Sequence, residues 1–131
     1  MDLKNKFNLD GKVAFVSGGS RGLGRACALA LAEFGANVAL GATDERKLIE
    51  VSKEIKELGS DSITCAMDIS NPDSVKKAID AAAKNFGKLD ILVNAAGICP
   101  RVPCLEMSEE EMEKTFQINI FGTFYICNAA A

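Results

Sequence analysis

A glycine-rich segment near the amino terminus carries the clearest chemical signal in the sequence. Residues 17–24 read Ser-Gly-Gly-Ser-Arg-Gly-Leu-Gly and connect a short apolar run to a helical pattern. Glycines let a backbone turn tightly and approach a phosphate closely. A helix that begins at such a turn points free N–H groups and the positive end of its dipole at an anion. The segment therefore predicts a phosphate-binding turn, and the alternative is a tight strand–helix turn that binds no ligand.

Two polar side chains further along the chain stand where predicted strands end. Asp68 follows the third predicted strand and Asn94 follows the fourth. Loops at the carboxyl ends of parallel strands are the places where ligands bind in α/β proteins. Asp68 could instead cap the turn after its strand, and Asn94 could serve only to fix its loop through hydrogen bonds.

A third polar residue, Asn119, lies within the last predicted helix. The predicted apolar face of that helix consists of Met112, Phe116, Asn119, Ile120, Thr123 and Cys127. A buried amide without a hydrogen-bonding partner costs about 1–3 kcal/mol, so the side chain of Asn119 must be bonded inside the protein. That bond could be a purely structural one between helices.

The composition argues against several classes of partner. The 131 residues carry a net charge of −3, which argues against nucleic acid because phosphate backbones attract basic surfaces. No apolar stretch approaches the ~20 residues of a membrane span. Residues 1–10 are too polar for a secretory signal peptide. We therefore expect neither nucleic acid nor a membrane among the partners.

The contents of histidine and cysteine limit the chemistry and indicate the compartment. The chain contains no histidine, which removes the Ser-His-Asp triad and most catalytic zinc sites, and we expect no metal site. The five cysteines are odd in number and include no Cys-x-x-Cys pair. This pattern predicts reduced thiols in a cytoplasmic protein.

Apolar runs and helical periodicities alternate along the chain. Strands are predicted at residues 12–16, 38–40, 62–67 and 90–93. Helix starts are predicted at Asn71-Pro72 and at the capping-box pattern Ser-x-x-Glu of residues 108–111. The faces expected to be buried are Leu23, Ala26, Cys27, Ala30, Leu31 and Phe34 in the first helix, Leu48, Val51, Ile55 and Leu58 in the second, and Val75, Ile79, Ala82 and Phe86 in the third. Four β–α units predict a doubly wound α/β fold, with helices on both faces of a parallel sheet, in one domain over residues 1–131.

The spacing of the motifs resembles the classical short-chain dehydrogenase/reductase family. The glycines at 18, 22 and 24 match the Gly-x-x-x-Gly-x-Gly fingerprint, and Asp68 stands where the family has a carboxylate after its third strand. Residues 94–97, Asn-Ala-Ala-Gly, resemble the family's Asn-Asn-Ala-Gly, with Ala95 in place of the second asparagine. Asn119 matches the helix asparagine of the family's catalytic tetrad. The resemblance covers residues 11–128 and implies a Rossmann-type sheet in the strand order 3-2-1-4, truncated before the remaining strands.

The resemblance implies an NAD(P)-dependent oxidoreductase that transfers hydride between a nicotinamide and a carbonyl or secondary alcohol. The sequence is similar to reductases of 3-oxoacyl thioesters and to dehydrogenases of gluconate-type sugar acids or related ketones. Asp68 would accept a hydrogen bond from the adenine amino group, and Asn119 would hold a water in a proton relay to a catalytic lysine. The cofactor-binding residues that the resemblance implies are Gly18, Ser20, Arg21, Gly22, Leu23, Gly24, Thr43, Asp68, Ile69, Asn94, Ala95 and Gly97.

The end of the second predicted strand indicates which nicotinamide cofactor is preferred. NAD-specific members of the family place an aspartate at the position of Ala42, where it repels a 2′-phosphate. Arg21 resembles the basic residue that pairs with this phosphate in NADP-dependent members, and Thr43 could donate its hydroxyl to it. Asp44 argues against this assignment, unless it lies in the first turn of the next helix, where an anion is favoured. We therefore expect NADP(H), with NAD(H) as the alternative.

The family's catalytic serine and its Tyr-x-x-x-Lys motif are not found in these residues. The only tyrosine is Tyr125, and Ala129 stands four positions after it. We therefore expect the N-terminal half of a larger single-domain enzyme, inactive by itself and a homo-oligomeric dimer or tetramer when complete. The rival hypothesis is a non-catalytic dinucleotide-binding module, which a Ser and a Tyr-x-x-x-Lys motif downstream would exclude. A Rossmann domain for a flavin or a methyl donor is disfavoured by the glycine spacing.

Overall fold

Four parallel strands form the sheet of the computed structural model, which describes residues 3–131. The strands are β1 (Val13–Ser17), β2 (Asn37–Ala42), β3 (Ser62–Ala66) and β4 (Ile91–Asn94). Their order in the sheet is β3-β2-β1-β4 and all pairings are parallel, so the predicted topology is confirmed. Met1 and Asp2, which belong to the polar segment that argues against a signal peptide, lie outside the described residues.

Helices connect the strands and cover both faces of the sheet. They are α1 (Leu3–Lys6), α2 (Gly22–Glu33), α3 (Glu45–Glu57), α4 (Pro72–Phe86), α5 (Glu109–Phe116) and α6 (Gly122–Ala130). A short 3-10 turn at Cys104–Glu106 precedes α5. A π-helical segment, Gln117–Phe121, joins α5 directly to α6, and the three together are called the last helix. Within residues 3–131, no helix combines the length and the apolar character that crossing a membrane requires.

Polar side chains fix the first residues of three helices. The Asp44 carboxylate accepts from the Lys47 N–H at 3.2 Å and begins α3, and the Asn71 side chain accepts from two N–H groups in the first turn of α4. At α5 the Ser108 hydroxyl accepts from the Glu111 N–H at 3.2 Å, while Glu111 accepts from the Ser108 N–H at 3.0 Å. These bonds satisfy N–H groups that have no partner within their helix. The predicted starts at Asn71 and at Ser108 are therefore confirmed.

Two apolar clusters hold the helices to opposite faces of the sheet, because successive residues of a strand point to opposite sides. Val16 packs with residues of α2 and α3 on one face, whereas Phe15 packs with residues of α4 and α6 on the other. Each side chain is fully buried, which contributes about 1.5–3 kcal/mol. The predicted inward faces of α3 and α4 are confirmed at Leu48, Val51, Ile55, Val75, Ile79 and Ala82, all of which are buried. Phe86 packs at the edge of its cluster, and Leu58 is exposed because it lies at the end of α3.

The inward face predicted for α2 is wrong. Leu23, Ala26 and Ala30 are exposed, and Cys27, Leu31 and Phe34 are only half-buried. The residues that face the sheet are Gly24, Ala28 and Ala32, which recur at every fourth position. Small residues at this spacing form one face of a helix and let it lie close to its neighbour, whereas larger side chains would hold it away. Close packing on the sheet therefore selected the smallest residues for this face, and the larger apolar side chains lie outside it.

The inward face predicted for the last helix is also wrong. Met112, Phe116, Ile120 and Cys127 are exposed, Asn119 and Thr123 are half-buried, and the buried residues are Gly122 and Ile126. Close packing gives the physical reason, because Gly122 lies against Ile69 with no room for a Cβ atom. Gly122 therefore faces inward, and Met112 and Phe116 already lie outward in α5, before the π-helical segment begins.

Candidate functional site

The carboxyl ends of the four strands meet along one edge of the sheet and border a cleft. Ser17 at the end of β1 is in register with Gly41 of β2 and with Asn94 of β4, and Ala42 is in register with Ala66 of β3. The cleft has a volume of about 380 Å³. Its lining residues are Gly18, Ser20, Arg21, Gly22, Leu23, Gly24, Ala42, Thr43, Met67, Asp68, Ile69, Ala95, Ala96, Gly97, Ile98 and Ile118. All of the cofactor-binding residues predicted from the sequence, apart from Asn94, thus line one cavity.

Three lining residues, Met67, Ile98 and Ile118, are not predicted from the sequence. Each is an ordinary apolar side chain, so neither its type nor its spacing carries a chemical signal. The one available signal is adjacency, because Met67 precedes Asp68 and Ile118 precedes Asn119. Only the approach of the last helix to the strand ends brings Ile118 to the cleft.

The turn between β1 and α2 is packed directly against the loop that follows β4. Gly18 has a φ of +68°, a left-handed conformation that disfavours any residue with a Cβ atom. A Cβ atom at this position would also lie 2.7 Å from the backbone nitrogen of Ala96. On the other side, the Gly18 N–H donates to the carbonyl of Gly41 at 2.7 Å. The glycine is therefore required where the ends of three neighbouring strands meet.

The start of α2 differs from the starts of α3, α4 and α5, because no side chain among the described residues caps it. Its N-cap residue, Arg21, has an extended backbone and makes no capping hydrogen bond through its side chain. Gly22, Leu23 and Gly24 of the first turn line the cleft, so N–H groups without a partner in the helix lie beside it. These donors and the positive end of the helix dipole suit an anion such as a pyrophosphate.

Asp44 and Arg21, the two charged residues that bear on the choice of cofactor, differ in their partners. Asp44 caps α3, and its carboxylate lies 3.5 Å from the ammonium of Lys47. The hydrogen bond from the Lys47 N–H is the main reason that the pKa of Asp44 lies below its ordinary value. Arg21 lines the cleft and forms no ion pair within residues 3–131. Asp44 therefore lies at the start of α3, where an anion is favoured, and Arg21 is available to a ligand.

A chain of hydrogen bonds runs from the glycine turn to the last helix through Asn94. The Ser17 hydroxyl donates to Oδ1 of Asn94, and Nδ2 of Asn94 donates to the Thr123 hydroxyl at 2.9 Å. The Thr123 hydroxyl donates in turn to the main-chain carbonyl of Asn119 at 2.7 Å. Because both ends of the Asn94 amide are used inside the protein, this side chain fixes its surroundings and does not line the cleft.

Both polar atoms of the Asn119 side chain are bonded to the main chain of Ile98. The Ile98 N–H donates to Oδ1 at 2.9 Å, and Nδ2 donates to the Ile98 carbonyl at 2.8 Å. The expectation that this amide is bonded internally is confirmed, and its partner is the loop after β4 instead of a second helix. Asn119 thereby holds a segment, residues 95–98, that lines the cleft.

The loop after β3 borders the cleft with an exposed carboxylate. Oδ1 of Asp68 accepts from the Ser70 N–H at 2.9 Å and from the Ser70 hydroxyl at 2.7 Å. The Asp68 N–H donates to the Ser74 hydroxyl at 3.0 Å, which closes the turn into α4. Asp68 thus stabilises its turn, as one of its two interpretations predicts. The hydrogen bonds to its carboxylate within residues 3–131 use Oδ1, so Oδ2 is available to a ligand.

These features define the class of the fold. A parallel sheet whose strand order reverses beside β1, with a glycine turn at that point, is a Rossmann-type α/β arrangement. Folds of this type bind their ligands at the carboxyl ends of the strands, where the cleft lies. In the part of the chain that the structure describes, no three His, Cys, Asp or Glu side chains are grouped so that they could hold a metal ion.

Comparison with known families and proteins identifies the family. The family model for short chain dehydrogenases matches residues 12–131, and the chain belongs to this family. The chain is 38% identical to a versicolorin reductase of Emericella nidulans, over 99% of this chain and 50% of that protein. It is 36% identical to an L-rhamnose 1-dehydrogenase (NAD(P)(+)) of a Sphingomonas species, over 94% of this chain and 49% of that protein.

A solved structure shows the same architecture. The short chain dehydrogenase from Burkholderia cenocepacia in complex with NADP superimposes with a TM-score of 0.89 and 36% identity. The match covers 94% of this chain and 51% of that one. The chain therefore spans about half the length of the relatives that it matches.

Proposed function

We propose that the full-length protein is an oxidoreductase that transfers a hydride between NADP(H) and a carbonyl or secondary alcohol. The observation that carries this proposal is the uncapped start of α2, beside the glycine turn and inside the cleft. Its free N–H groups and helix dipole match the charge of a pyrophosphate, the group that joins the two halves of a dinucleotide. The nicotinamide would supply or accept the hydride when bound. Membership of the family supports this class of reaction.

Different walls of the cleft would hold different parts of the dinucleotide. The backbone of residues 18–24 would bind the pyrophosphate, with Ser20 and Leu23 among its contacts. Asp68, with Oδ2 available, would accept from the adenine amino group, and Ile69 lines the cleft beside it. The loop of Ala95 and Gly97 would lie against the nicotinamide half. The opposed positions of these two loops across the strand ends support this assignment.

Three residues support a preference for NADP(H) over NAD(H). Ala42 and Thr43, at the end of β2, line the same cleft as Arg21. Ala42 carries no charge that would repel a 2′-phosphate, and Arg21 has no competing ion pair within residues 3–131. Asp44, the nearest carboxylate in sequence, caps α3 and pairs with Lys47. A guanidinium can therefore meet the phosphate in a charge-assisted hydrogen bond.

Asn119 would take part in the reaction by positioning other groups. Its side chain holds the main chain of Ile98, and its own carbonyl accepts from Thr123. A carbonyl oxygen has two lone pairs, so it could accept a relay water as well.

The two relatives are named for different substrates, versicolorin and L-rhamnose, so they support the class of reaction and do not single out one substrate. A 3-oxoacyl thioester, a sugar acid or a related ketone fits that class.

Titration of the full-length protein with NADPH and with NADH tests the proposal. Replacing Arg21 with alanine should weaken the binding of NADPH by about 1–3 kcal/mol, the scale of a charge-assisted hydrogen bond. The binding of NADH, which lacks the 2′-phosphate, should change little. Isothermal titration calorimetry of the wild type and the variant measures all four affinities.

Arg25→Ala provides a matched control on the same helix. Arg25 carries the same charge, but it pairs with Glu54 and does not line the cleft. We expect this variant to bind both cofactors as the wild type does. Equal losses for NADPH and NADH in Arg21→Ala would contradict the cofactor preference, and a wild type that binds neither cofactor would contradict the proposed function.

We also propose that the full-length protein is a cytoplasmic homo-oligomer. An exposed apolar surface on the last helix supports self-association, and it consists of Met112, Phe116, Ile120, Phe121 and Phe124. All five cysteines lie within the described residues and are free thiols, as expected in a reducing compartment. Sedimentation velocity should give at least a dimer, and a monomer at micromolar concentration would contradict this proposal.

A further inference from the structure

A hydrogen bond that has no role in the proposed function holds the loop between β3 and α4 to the last helix. Nε2 of Gln117 donates to the main-chain carbonyl of Ser70 at 3.1 Å, across 47 positions of the chain. Gln117 is half-buried, so water competes only in part for this carbonyl. The bond therefore ties the π-helical segment to the loop that carries Asp68.

The Met67 N–H donates to the Ala42 carbonyl at 2.9 Å and fixes the start of this loop on β2, whereas the other bonds of residues 68–71 are local. Asp68 accepts from Ser70 two positions later, its N–H reaches Ser74 six positions later, and its carbonyl accepts from the Asn71 N–H. Bonds over so few positions determine the shape of a turn. They do not determine where the turn lies relative to the opposite wall of the cleft, which requires contacts from elsewhere in the chain. Gln117 supplies such a contact.

Gly122 supplies a second contact between the same helix and the same loop. It is buried, and a Cβ atom added to it would lie 3.0 Å from Cγ1 of Ile69 and 3.1 Å from the Ile69 carbonyl oxygen. These separations are shorter than ordinary van der Waals contacts, so helix and loop meet without room for a methyl group. The loop is thus located by two residues of one helix.

Residues of the π-helical segment contact both loops of the cleft. Gln117 bonds the loop after β3, Ile118 lines the cleft and Asn119 bonds the loop after β4. In a regular α-helix, residues two positions apart do not share a face. Gln117 and Asn119 therefore point to different sides of the helix and reach different loops, and π turns occur frequently at functional sites.

We propose that Gln117 is a positioning residue for the adenosine half of the dinucleotide, an inference that rests on the proposed function. By holding the Ser70 carbonyl, Gln117 sets the position of Asp68 and Ile69, which line the cleft. Asn119 holds the loop at the other half of the cleft in the same way. Loss of the Gln117 amide therefore weakens the binding of an adenosine group and leaves the nicotinamide half unaffected.

The full-length protein with Gln117→Met tests this inference, because methionine keeps the length of the side chain and removes the donor. The probes are ADP, which contains the adenosine half, reduced nicotinamide mononucleotide, which contains the other half, and NADPH. We expect ADP and NADPH to bind roughly five- to tenfold more weakly, as loss of one partly buried hydrogen bond predicts. The affinity for reduced nicotinamide mononucleotide should stay within about twofold of the wild-type value.

Two further variants accompany this measurement. Lys114→Met makes a similar change at an exposed position of the same helix, and it should bind all three probes as the wild type does. Gly122→Ala displaces Ile69 without touching Gln117, and it should show the same selective loss for ADP. If Gln117→Met does not fold, Gln117→Glu decides the question by the same criterion, because it keeps the size of the side chain and replaces the Nε2 donor with an acceptor.

The inference is overturned if Gln117→Met binds ADP as tightly as the wild type does. It is also overturned if all three probes weaken alike, since a uniform loss reports general damage to the cleft. A wild-type protein that binds neither NADPH nor NADH nor ADP would instead overturn the proposed function, and the inference with it. Binding by the wild type without a selective loss in the variants overturns the inference alone.

Discussion

Replacing Asn119 with leucine would separate the structural part of its role from the catalytic part. Leucine is of similar size, and it removes both hydrogen bonds to the main chain of Ile98, at 2.9 and 2.8 Å. The N–H and the carbonyl of Ile98 then lose these partners. The variant therefore reports what the side chain contributes to holding the loop after β4.

The expected loss of stability follows from these two bonds. A buried polar group left unpaired costs about 1–3 kcal/mol, and the lower end applies here because Ile98 and Asn119 are half-buried. The two groups together should lower the free energy of unfolding by about 2 kcal/mol. In a domain about twice the length of this chain, 1 kcal/mol corresponds to roughly 2–4 °C in melting temperature, so we expect a decrease of roughly 4–8 °C.

The assay measures melting temperature, NADPH affinity and turnover on one preparation of the full-length variant. If Asn119 also supports proton transfer, turnover per folded molecule should fall by about tenfold or more, the lower range of general acid–base effects. NADPH affinity should fall only moderately, because Ala95 and Gly97 belong to the loop that loses its anchor.

Asn128→Leu is the matched control, because it makes the same change at an exposed position of α6. Its melting temperature and turnover should equal those of the wild type. An unchanged melting temperature in Asn119→Leu would refute the anchoring role derived from the two bonds to Ile98. A lowered melting temperature with undiminished turnover per folded molecule would refute the catalytic role and leave the structural one.

Two further predictions concern acid stability and the activity of the chain by itself. The Val13 N–H donates to Asp90 at 2.9 Å, and this bond, followed by the bond from Lys88, lowers the pKa of the Asp90 carboxyl. Its contribution to stability is complete above the ordinary carboxyl pKa and is lost as pH falls through the lowered folded-state pKa. Urea unfolding from neutral pH to about pH 3 should therefore show a gap between wild type and Asp90→Asn that closes in acid, and a constant gap would contradict this assignment. The 131-residue chain without the rest of the protein should not consume NADPH with a panel of ketones, because it contains no Tyr-x-x-x-Lys motif, and clear turnover would show that the proton donor lies among these residues.

Features of the site that depend on neighbouring residues can be predicted from the sequence. The glycines at 18, 22 and 24 predict a turn that opens into a helix, and the structure contains that turn at the end of β1. Asn71 and Ser108 predict helix starts because a side-chain cap bonds N–H groups only two or three positions away. The four strands are predicted from local apolar runs, and their parallel arrangement follows from the alternation of strands and helices, which requires crossover connections.

Helical periodicity failed where close packing set the face of the helix. In α2 the sequence offers several apolar residues, and contact with the sheet selects the small ones, Gly24, Ala28 and Ala32. In the last helix, contact with Ile69 likewise places Gly122 inward, and the larger apolar residues lie outward. Neither outcome can be recognised from apolar spacing, because spacing records which residues are apolar and not how closely a neighbour approaches.

The sequence by itself determined that Asn119 needs a partner, since an unpaired buried amide is costly. Only the tertiary structure decided which partner it has. The bonds that build the cleft join Asn119 to Ile98 across 21 positions, Gln117 to Ser70 across 47, and Ser17 to Asn94 across 77. Separations of this kind are closed by the packing of helices on the sheet, so no local pattern specifies them. The sequence therefore determines which side chains can bind phosphate or form hydrogen bonds, and the packing of the sheet and the last helix determines which groups they meet.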